Sequence, residues 1–213
     1  MSERRAQPAS TWLKTLHLWH WVSAALSLVG MLLFSLTGIT LNHASAIESK
    51  ARLTQVQLQL PEPLLQSLRQ NAEAAAAAAQ TPQPLPPALR QWLSTQLPRP
   101  VPPHAAEWSA DEVYVAMPRP GGDAWLRIAL ERGELEFEDS DRGWIAYFND
   151  LHKGRHAGAV WQAVIDVLAL ACVLFTVTGL LILKAHAVVR PSTWPLVGAG
   201  LVLPALVALL LIH

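Results

Sequence analysis

One stretch of the sequence, from His17 to His43, constrains the fold more than any other. Its centre, Val22 to Leu41, is apolar and contains no charged residue. A helix needs about 20 such residues to cross a hydrocarbon layer roughly 30 Å thick, so this run predicts a transmembrane helix. Tryptophan at the ends of a span is expected because its ring is amphipathic. Histidines at both ends are less expected, and the functional interpretation depends on them.

A second stretch of the chain resembles the first. The segment Phe34–Leu41 aligns with Phe175–Ile182, and each contains a Thr-Gly pair. Histidines also flank the second copy on both sides. If the chain crosses the membrane once at each copy, the two copies run in opposite directions. Inverted pairs of this kind form membrane sites that two helices share.

Composition agrees with a membrane protein. Of the 213 residues, 52% are hydrophobic and only 15% are charged, and the mean hydropathy is +0.26. These values indicate a small membrane protein with one extramembrane part. The formal net charge of zero gives no argument for nucleic-acid binding. The single cysteine, Cys172, lies in an apolar run and is interpreted as a small buried residue.

The predicted fold is a mainly α membrane protein with three transmembrane helices and a small α+β extramembrane insert between the first two. A secretory signal is the alternative for the first span, because Ala44-Ser45-Ala46 resembles a cleavage site. The apolar run is longer than a usual signal, which favours a retained helix. The predicted segments are a tail (1–11), a first span (12–43), the insert (44–150), a second span (151–186), a loop (187–192) and a third span (193–213).

The insert is expected to contain helices, a linker and strands. Alanine-rich and proline-rich residues 72–103 have the composition of a linker or a low-complexity segment. Alternating residues and turn residues predict a three-stranded β-meander over 112–138. The predicted helical pieces are Ala46–Leu58, Pro63–Arg69, Pro87–Leu97 and an aromatic-rich helix from Asp141 to His152.

One carboxyl group falls inside a predicted span. Asp166 lies within the second apolar run. A carboxyl group in hydrocarbon costs several kcal/mol unless it faces protein or water. Two interpretations follow, an interhelical hydrogen bond and a role related to a proton or a propionate.

Positive charges near the span ends predict the orientation. The tail and the loop between the second and third spans carry Arg4, Arg5, Lys14, Lys184 and Arg190, against Lys50, Arg52, Lys153 and Arg155 on the other side. We predict a cytoplasmic N-terminus and a periplasmic insert.

Six of the eight histidines lie at span ends. Two antiparallel spans would place His17, His20 and His186 at one membrane face, and His43, His152 and His156 at the other. Facing imidazoles from neighbouring helices are the usual axial pair of a b-type haem.

Two haems b are therefore expected, with four iron ligands and two alternates. The ligand pairs are His20 with His186 and His43 with His152, and the alternates are His17 and His156. Imidazoles also bind zinc or copper directly, and interface histidines can anchor a helix without any ligand.

The sequence contains no phosphate-binding glycine loop and no Cys-x-x-Cys motif. Three spans and the insert leave no room for a flavin or nicotinamide domain. An electron donor would therefore be a separate molecule, either a flavoprotein or a quinol.

Two motifs resemble the PepSY-associated transmembrane helix family. They are Leu16–Trp21 leading to Thr37-Gly38, and Asp150–Arg155 leading to Thr178-Gly179. His20 and His152 match the histidines of that family. The resemblance implies a PepSY-like insert, and larger members are similar to inner-membrane iron-siderophore reductases that carry b haems. It therefore implies electron delivery to a periplasmic ferric complex.

Two functions are kept as hypotheses. The first is a multi-pass b-type haem protein of the bacterial inner membrane that relays electrons across the lipid bilayer. Because PepSY modules are also linked to peptidase inhibition, the second is a non-enzymatic, membrane-anchored module whose insert binds a partner protein.

Overall fold

A computed structural model of the chain describes residues 11–47, 50–78, 83–103 and 106–212. Most of the predicted tail, together with His104 and His213, lies outside these residues. The described helices are α1 (Thr11–Asn42), α2 (Glu62–Ala78), α3 (Pro87–Gln96), α4 (Gly143–His152), α5 (Gly158–His186) and α6 (Thr193–Leu211). The strands are β1 (Arg52–Gln59), β2 (Ala106–Trp108), β3 (Glu112–Ala116), β4 (Gly122–Ala129) and β5 (Glu134–Asp141).

Three helices are long and apolar enough to cross a membrane: α1, α5 with the short 3-10 helix Ala187–Val189 that follows it, and α6. Their large apolar side chains are mostly exposed, as expected for surfaces that face lipid rather than water. The chain is therefore a multi-pass membrane protein.

The chain forms two compact units. One comprises the residues up to Phe34 together with those from Ala163 onward, and the other comprises Ser35–Gln162.

In the first unit α1 and α5 run antiparallel. Gly30 lies against the side chain of Leu168, and His17 lies against His186. The residue number therefore rises along α1 while it falls along α5, as the inverted repeat predicts. Ser23 and Ser27 are buried on α1, and their hydroxyls donate to carbonyls of the same helix. Small residues of this kind let membrane helices approach closely.

The second unit contains a five-stranded antiparallel sheet in the order β1-β5-β4-β3-β2. Alternate residues of the strands point into one hydrophobic core, where Val56 pairs with Phe137 and Leu126 also pairs with Phe137. Leucines of α2 and α3 cover this face of the sheet, among them Leu68 and Leu93, which are fully buried. The insert therefore has a core of its own.

Two predictions about the insert are wrong, and a third is correct but incomplete. The helix predicted over Ala46–Leu58 is largely strand β1, in which Gln55, Gln57 and Gln59 alternate with less exposed residues. The predicted linker 72–103 contains the end of α2, and the helix predicted at Pro87–Leu97 within it is present as α3. The predicted three-stranded meander is present as β3, β4 and β5, but β1 and β2 extend it to five strands between α1 and α5 in the chain.

The second predicted span also begins too early. The chain turns between α4 and α5, and Gly154 (φ 64°), His156 (φ 55°) and Gly158 (φ 77°) adopt left-handed conformations there. Left-handed residues end a helix, so α4 and α5 are separate. The indole N–H of Trp161 donates to the carbonyl of Leu151 at 2.9 Å and ties the start of α5 to α4.

We use Leu93 to test whether the proline-rich segment is part of the core. Leu93→Ala should lower the free energy of unfolding of the insert by about 3 kcal/mol, because it leaves a cavity in a packed core. The measurement is the urea midpoint by pulse proteolysis of the full chain in detergent. Gln91→Ala, an exposed change on the same helix, is the control and should leave the midpoint unchanged. An unchanged midpoint for Leu93→Ala would restore the linker interpretation.

Asp139 on β5 is held by two arginines of the insert. Arg119 Nη2 lies 2.6 Å from its Oδ1, and Arg99 Nη2 lies 3.1 Å from its Oδ2. Burial acts to raise the pKa of this carboxyl, but the hydrogen bonds and charges of Arg119 and Arg99 outweigh burial and lower the pKa below its ordinary value of 3.8. Stability from this group is present above the unfolded pKa and is lost as the pH falls through the folded pKa.

Asp139→Asn should therefore be less stable than the wild type at pH 6, and the difference should shrink as the pH falls from 4 toward 2. The measurement is the urea midpoint of both proteins at several pH values. Asp123→Asn, on neighbouring β4, is the control, since no described residue forms an ion pair with Asp123. A difference between wild type and Asp139→Asn that stays constant over this pH range would contradict the assignment.

Candidate functional site

His20 of α1 is joined to the second Thr-Gly pair. Its Nδ1 lies 3.0 Å from the hydroxyl of Thr178 and 3.2 Å from the carbonyl oxygen of Phe175. Its ring also stacks on the ring of Phe175, with centroids 4.7 Å apart and planes 16° apart. Three contacts from α5 therefore fix the position of one imidazole.

These contacts also determine the tautomer of His20. The carbonyl oxygen of Phe175 can only accept a hydrogen bond, so Nδ1 of His20 must carry a proton. The Thr178 hydroxyl donates to the carbonyl of Leu174 at 2.6 Å, which leaves its oxygen free to accept from His20. In the neutral imidazole the lone pair is then on Nε2, the form in which histidine binds a metal.

Gly179 gives this imidazole the space that it needs. A Cβ atom added at Gly179 would lie 3.2 Å from Cε1 of His20. This is closer than most carbon atoms approach one another without strain. Glycine after Thr178 therefore lets the ring lie against the backbone of α5.

A similar contact joins His152 to the first Thr-Gly pair. The hydroxyl of Thr37 lies 2.6 Å from Nδ1 of His152. A Cβ atom added at Gly38 would lie 3.9 Å from Cε1 of His152, which is an ordinary contact distance. One turn further, the hydroxyl of Thr40 donates to Oδ1 of Asn149 at 2.6 Å. The last turns of α1 are thus fastened to α4.

His17 and His186 face each other in the first unit. Their ring centroids are 6.3 Å apart and their planes are perpendicular. Each Nδ1 donates to a carbonyl four residues earlier in its own helix, Leu13 at 2.7 Å and Ile182 at 2.8 Å. Both rings are exposed, and both carry the lone pair on Nε2 when neutral.

The other two predicted histidines lie on the second unit. His43 is exposed at the end of α1, and its Nδ1 donates to the carbonyl of Ile39 at 3.0 Å. His156 is exposed in the turn before α5 and has the left-handed φ given above. Non-glycine residues adopt this conformation infrequently.

Asp166 does not form the interhelical hydrogen bond that the sequence allowed. Its side chain is exposed on α5, and nothing in the described part of the chain donates to its carboxyl group. Its other interpretation, toward a proton or a propionate, stays a prediction.

Sequence reasoning missed the threonines and glycines as partners of the histidines. The repeat had drawn attention to Thr37-Gly38 and Thr178-Gly179, and the histidines were noted separately. An inverted repeat places each copy beside the flanking residues of the other copy. That argument would have paired the histidines with the Thr-Gly motifs.

Comparison with known proteins identifies the family. The chain matches the family described as PepSY_TM-like over residues 11–213. The chain belongs to the PepSY_TM-like family. No curated protein and no solved structure matches it.

The donor set of this PepSY_TM-like protein fits a haem. His17 and His186, whose ring centroids lie 6.3 Å apart, are the two imidazoles that would hold such a group. Within the described residues, no three histidine, cysteine or carboxylate side chains cluster as a closed metal site would require. Two axial imidazoles suit a macrocycle, which supplies the other ligands itself.

The two glycines of this PepSY_TM-like protein provide a matched test of the histidine contacts. Gly179→Ala should displace the His20 ring by a few tenths of an ångström, whereas Gly38→Ala should leave His152 in place. The measurement is the NMR chemical shifts of ¹⁵N-labelled histidine side chains in detergent micelles. A large shift for His20 in the first variant and a small one for His152 in the second are expected. Equal effects would show that the two contacts do not differ as described.

Proposed function

We propose that this PepSY_TM-like protein is a b-type haem protein of the bacterial inner membrane that relays electrons across the bilayer. The observation that carries the proposal is the pair of facing imidazoles, His17 and His186, whose Nδ1 atoms are both held by helix carbonyls. When bound, a haem with two imidazole ligands supplies a one-electron redox centre.

His17 and His186 are the inner ligands in this proposal. The sequence favoured His20 over His17, but the Nδ1 contacts and the stacking on Phe175 hold His20 against α5. His17 has the ring that faces His186. His20 then acts as a positioning residue that fixes the approach of α1 to α5.

His43 and His152 are the outer ligands, with His156 as the alternate. The support is that the hydroxyl of Thr37 fixes Nδ1 of His152 and the carbonyl of Ile39 fixes Nδ1 of His43. Such contacts orient an imidazole and raise its strength as a ligand.

The direction of electron transfer follows from the predicted topology. With the N-terminus in the cytoplasm and the insert in the periplasm, electrons enter from a separate flavoprotein or from quinol. They leave toward a periplasmic acceptor, for which a ferric complex is the chemical class that the family resemblance implies.

Absorbance spectra of the purified full chain, expressed with ample haem, test this function. The wild type should show a Soret band with the sharp reduced α-band of a low-spin haem. His17→Ala and His186→Ala should each lose about half of the bound haem, if two are present, because each removes one axial ligand. His104→Ala, at a histidine with no ligand role in the proposal, is the control and should keep the full band.

His20→Ala separates the two assignments of the inner pair. The variant should retain haem, with a shifted reduction potential. If His20→Ala loses haem while His17→Ala retains it, then His20 is the inner ligand and His17 is the positioning residue. A wild-type protein without a Soret band under these conditions would reject the haem function.

The non-enzymatic interaction module is the second candidate. Its support is the insert itself, which has its own core and presents β1 as an edge strand of the described sheet. Edge strands are common sites for pairing with another chain. Two results together would favour this candidate. The wild type would bind no haem, and a partner protein would bind the His20→Ala/His152→Ala variant as well as it binds the wild type.

A further inference from the structure

A small cavity lies where the end of α1 meets α4 and the turn that follows it. Its volume is about 180 Å³. One wall is apolar, and three cationic side chains line the rest together with Asn149 and Asp150. The apolar residues are Leu41, Ala44, Ile47, Ile145 and Ala146, and the cationic residues are Arg142, Lys153 and Arg155.

The cavity carries an excess of positive charge. Among the described residues that line it, Asp150 is the one carboxylate, and it is buried with its Oδ2 already hydrogen-bonded. Arg142 Nη2 and the backbone N–H of Gly121 each lie 2.9 Å from Oδ2 of Asp150. Lys153 and Arg155 are exposed, and neither forms an ion pair with a carboxylate in the described ranges. Two positive charges therefore have no counter-ion among the described residues.

Neighbouring side chains indicate that the cavity lies at the level of a membrane interface. α1 is a membrane-spanning helix, and the cavity is at its end. On α4, Trp144 is 71% exposed and Tyr147 is 44% exposed, next to the half-exposed ring of Phe148. Exposed aromatic rings of this kind collect at the headgroup level of a bilayer.

We infer that this cavity binds the phosphate headgroup of an acidic phospholipid. Lys153 and Arg155 would neutralise the phosphate, and the wall formed by Leu41 and Ile145 would contact the apolar start of the lipid. Basic pockets beside membrane helices have the charge to hold such headgroups.

The size and lining of the cavity favour a headgroup over the other anions that could reach it. Pockets for drug-sized ligands occupy roughly 300–1,000 Å³, so this one is too small for a macrocycle or a large ferric complex. None of the described residues that line it is a histidine, although Lys153 and Arg155 are next in sequence to His152 and His156. The inference does not depend on the proposed function, because it rests on the two cations and the apolar wall.

Native mass spectrometry of the full chain, in an uncharged detergent, tests this site. Dioleoyl phosphatidylglycerol should bind at least tenfold more tightly than dioleoyl phosphatidylcholine. Lys153→Gln/Arg155→Gln should lower the affinity for the first phosphatidylglycerol molecule by about 30-fold, since each cation near the surface contributes about a factor of five to that affinity. Lys153→Arg/Arg155→Lys, which keeps both charges, should restore most of the affinity.

The matched control removes the same charge outside the cavity. Lys50 and Arg52 are exposed in the same unit, close in the chain to α1, and do not line the cavity. Lys50→Gln/Arg52→Gln should bind phosphatidylglycerol like the wild type. An equal loss of phosphatidylglycerol affinity in both double variants would mean nonspecific attraction and would overturn the inference. Equal affinity of the wild type for phosphatidylglycerol and phosphatidylcholine would overturn it too. Displacement of phosphatidylglycerol by equimolar glycerol 3-phosphate would identify a site for free anions instead.

Discussion

The membrane part of this protein depends on one kind of contact, an imidazole Nδ1 held by the hydroxyl of a Thr-Gly pair. His20 meets Thr178 in the first unit, and His152 meets Thr37 in the second. In each contact the histidine and the threonine come from different helices. A buried polar group without a partner costs about 1–3 kcal/mol, so such a contact favours one register between its two helices and disfavours the neighbouring ones.

The glycine in each pair matters because it determines how close the ring can come. At Gly179 an added Cβ would crowd the ring of His20, and at Gly38 it would only touch the ring of His152. The repeated Thr-Gly is therefore a paired binding surface for a histidine rather than a chance likeness between two spans. It also explains how His20 and His152 lie against apolar helices with their Nδ1 atoms hydrogen-bonded.

Local patterns predicted part of the fold and missed what depends on distant partners. The helix that begins at Pro87 and the strands from Glu112 to Asp141 have neighbours close in the chain, and local alternation or a helix-start residue was enough to find them. Strand β1 is different, because its partner in the described sheet is β5, which lies far away in the chain at the other end of the insert. Seen alone, its glutamines and spaced apolar residues are equally compatible with an amphipathic helix.

The contribution of the alanine- and proline-rich segment to the core was missed for the same reason. Alanine and proline are typical of linkers, but Leu85, Leu89 and Leu93 are spaced to enter a core that forms only when the sheet is complete. At the membrane, the sequence grouped the histidines by span end and chose His20 over His17 as the partner of His186. The ring that lies beside His186 is that of His17, and this follows from the register of α1 against α5, which local patterns do not give.

The cavity between α1 and α4 changes how the orientation of the chain is argued. Lys153 and Arg155 are half of the four insert-side cations counted close to the ends of the first two spans, and they weakened the predicted bias toward a cytoplasmic N-terminus. If both cations bind a lipid headgroup, they have a local role and should not be counted as determinants of topology. Of the cations counted near the membrane, Lys50 and Arg52 would then remain on the insert side, against five on the other side. On that count, the charge difference would favour the cytoplasmic N-terminus that we predict.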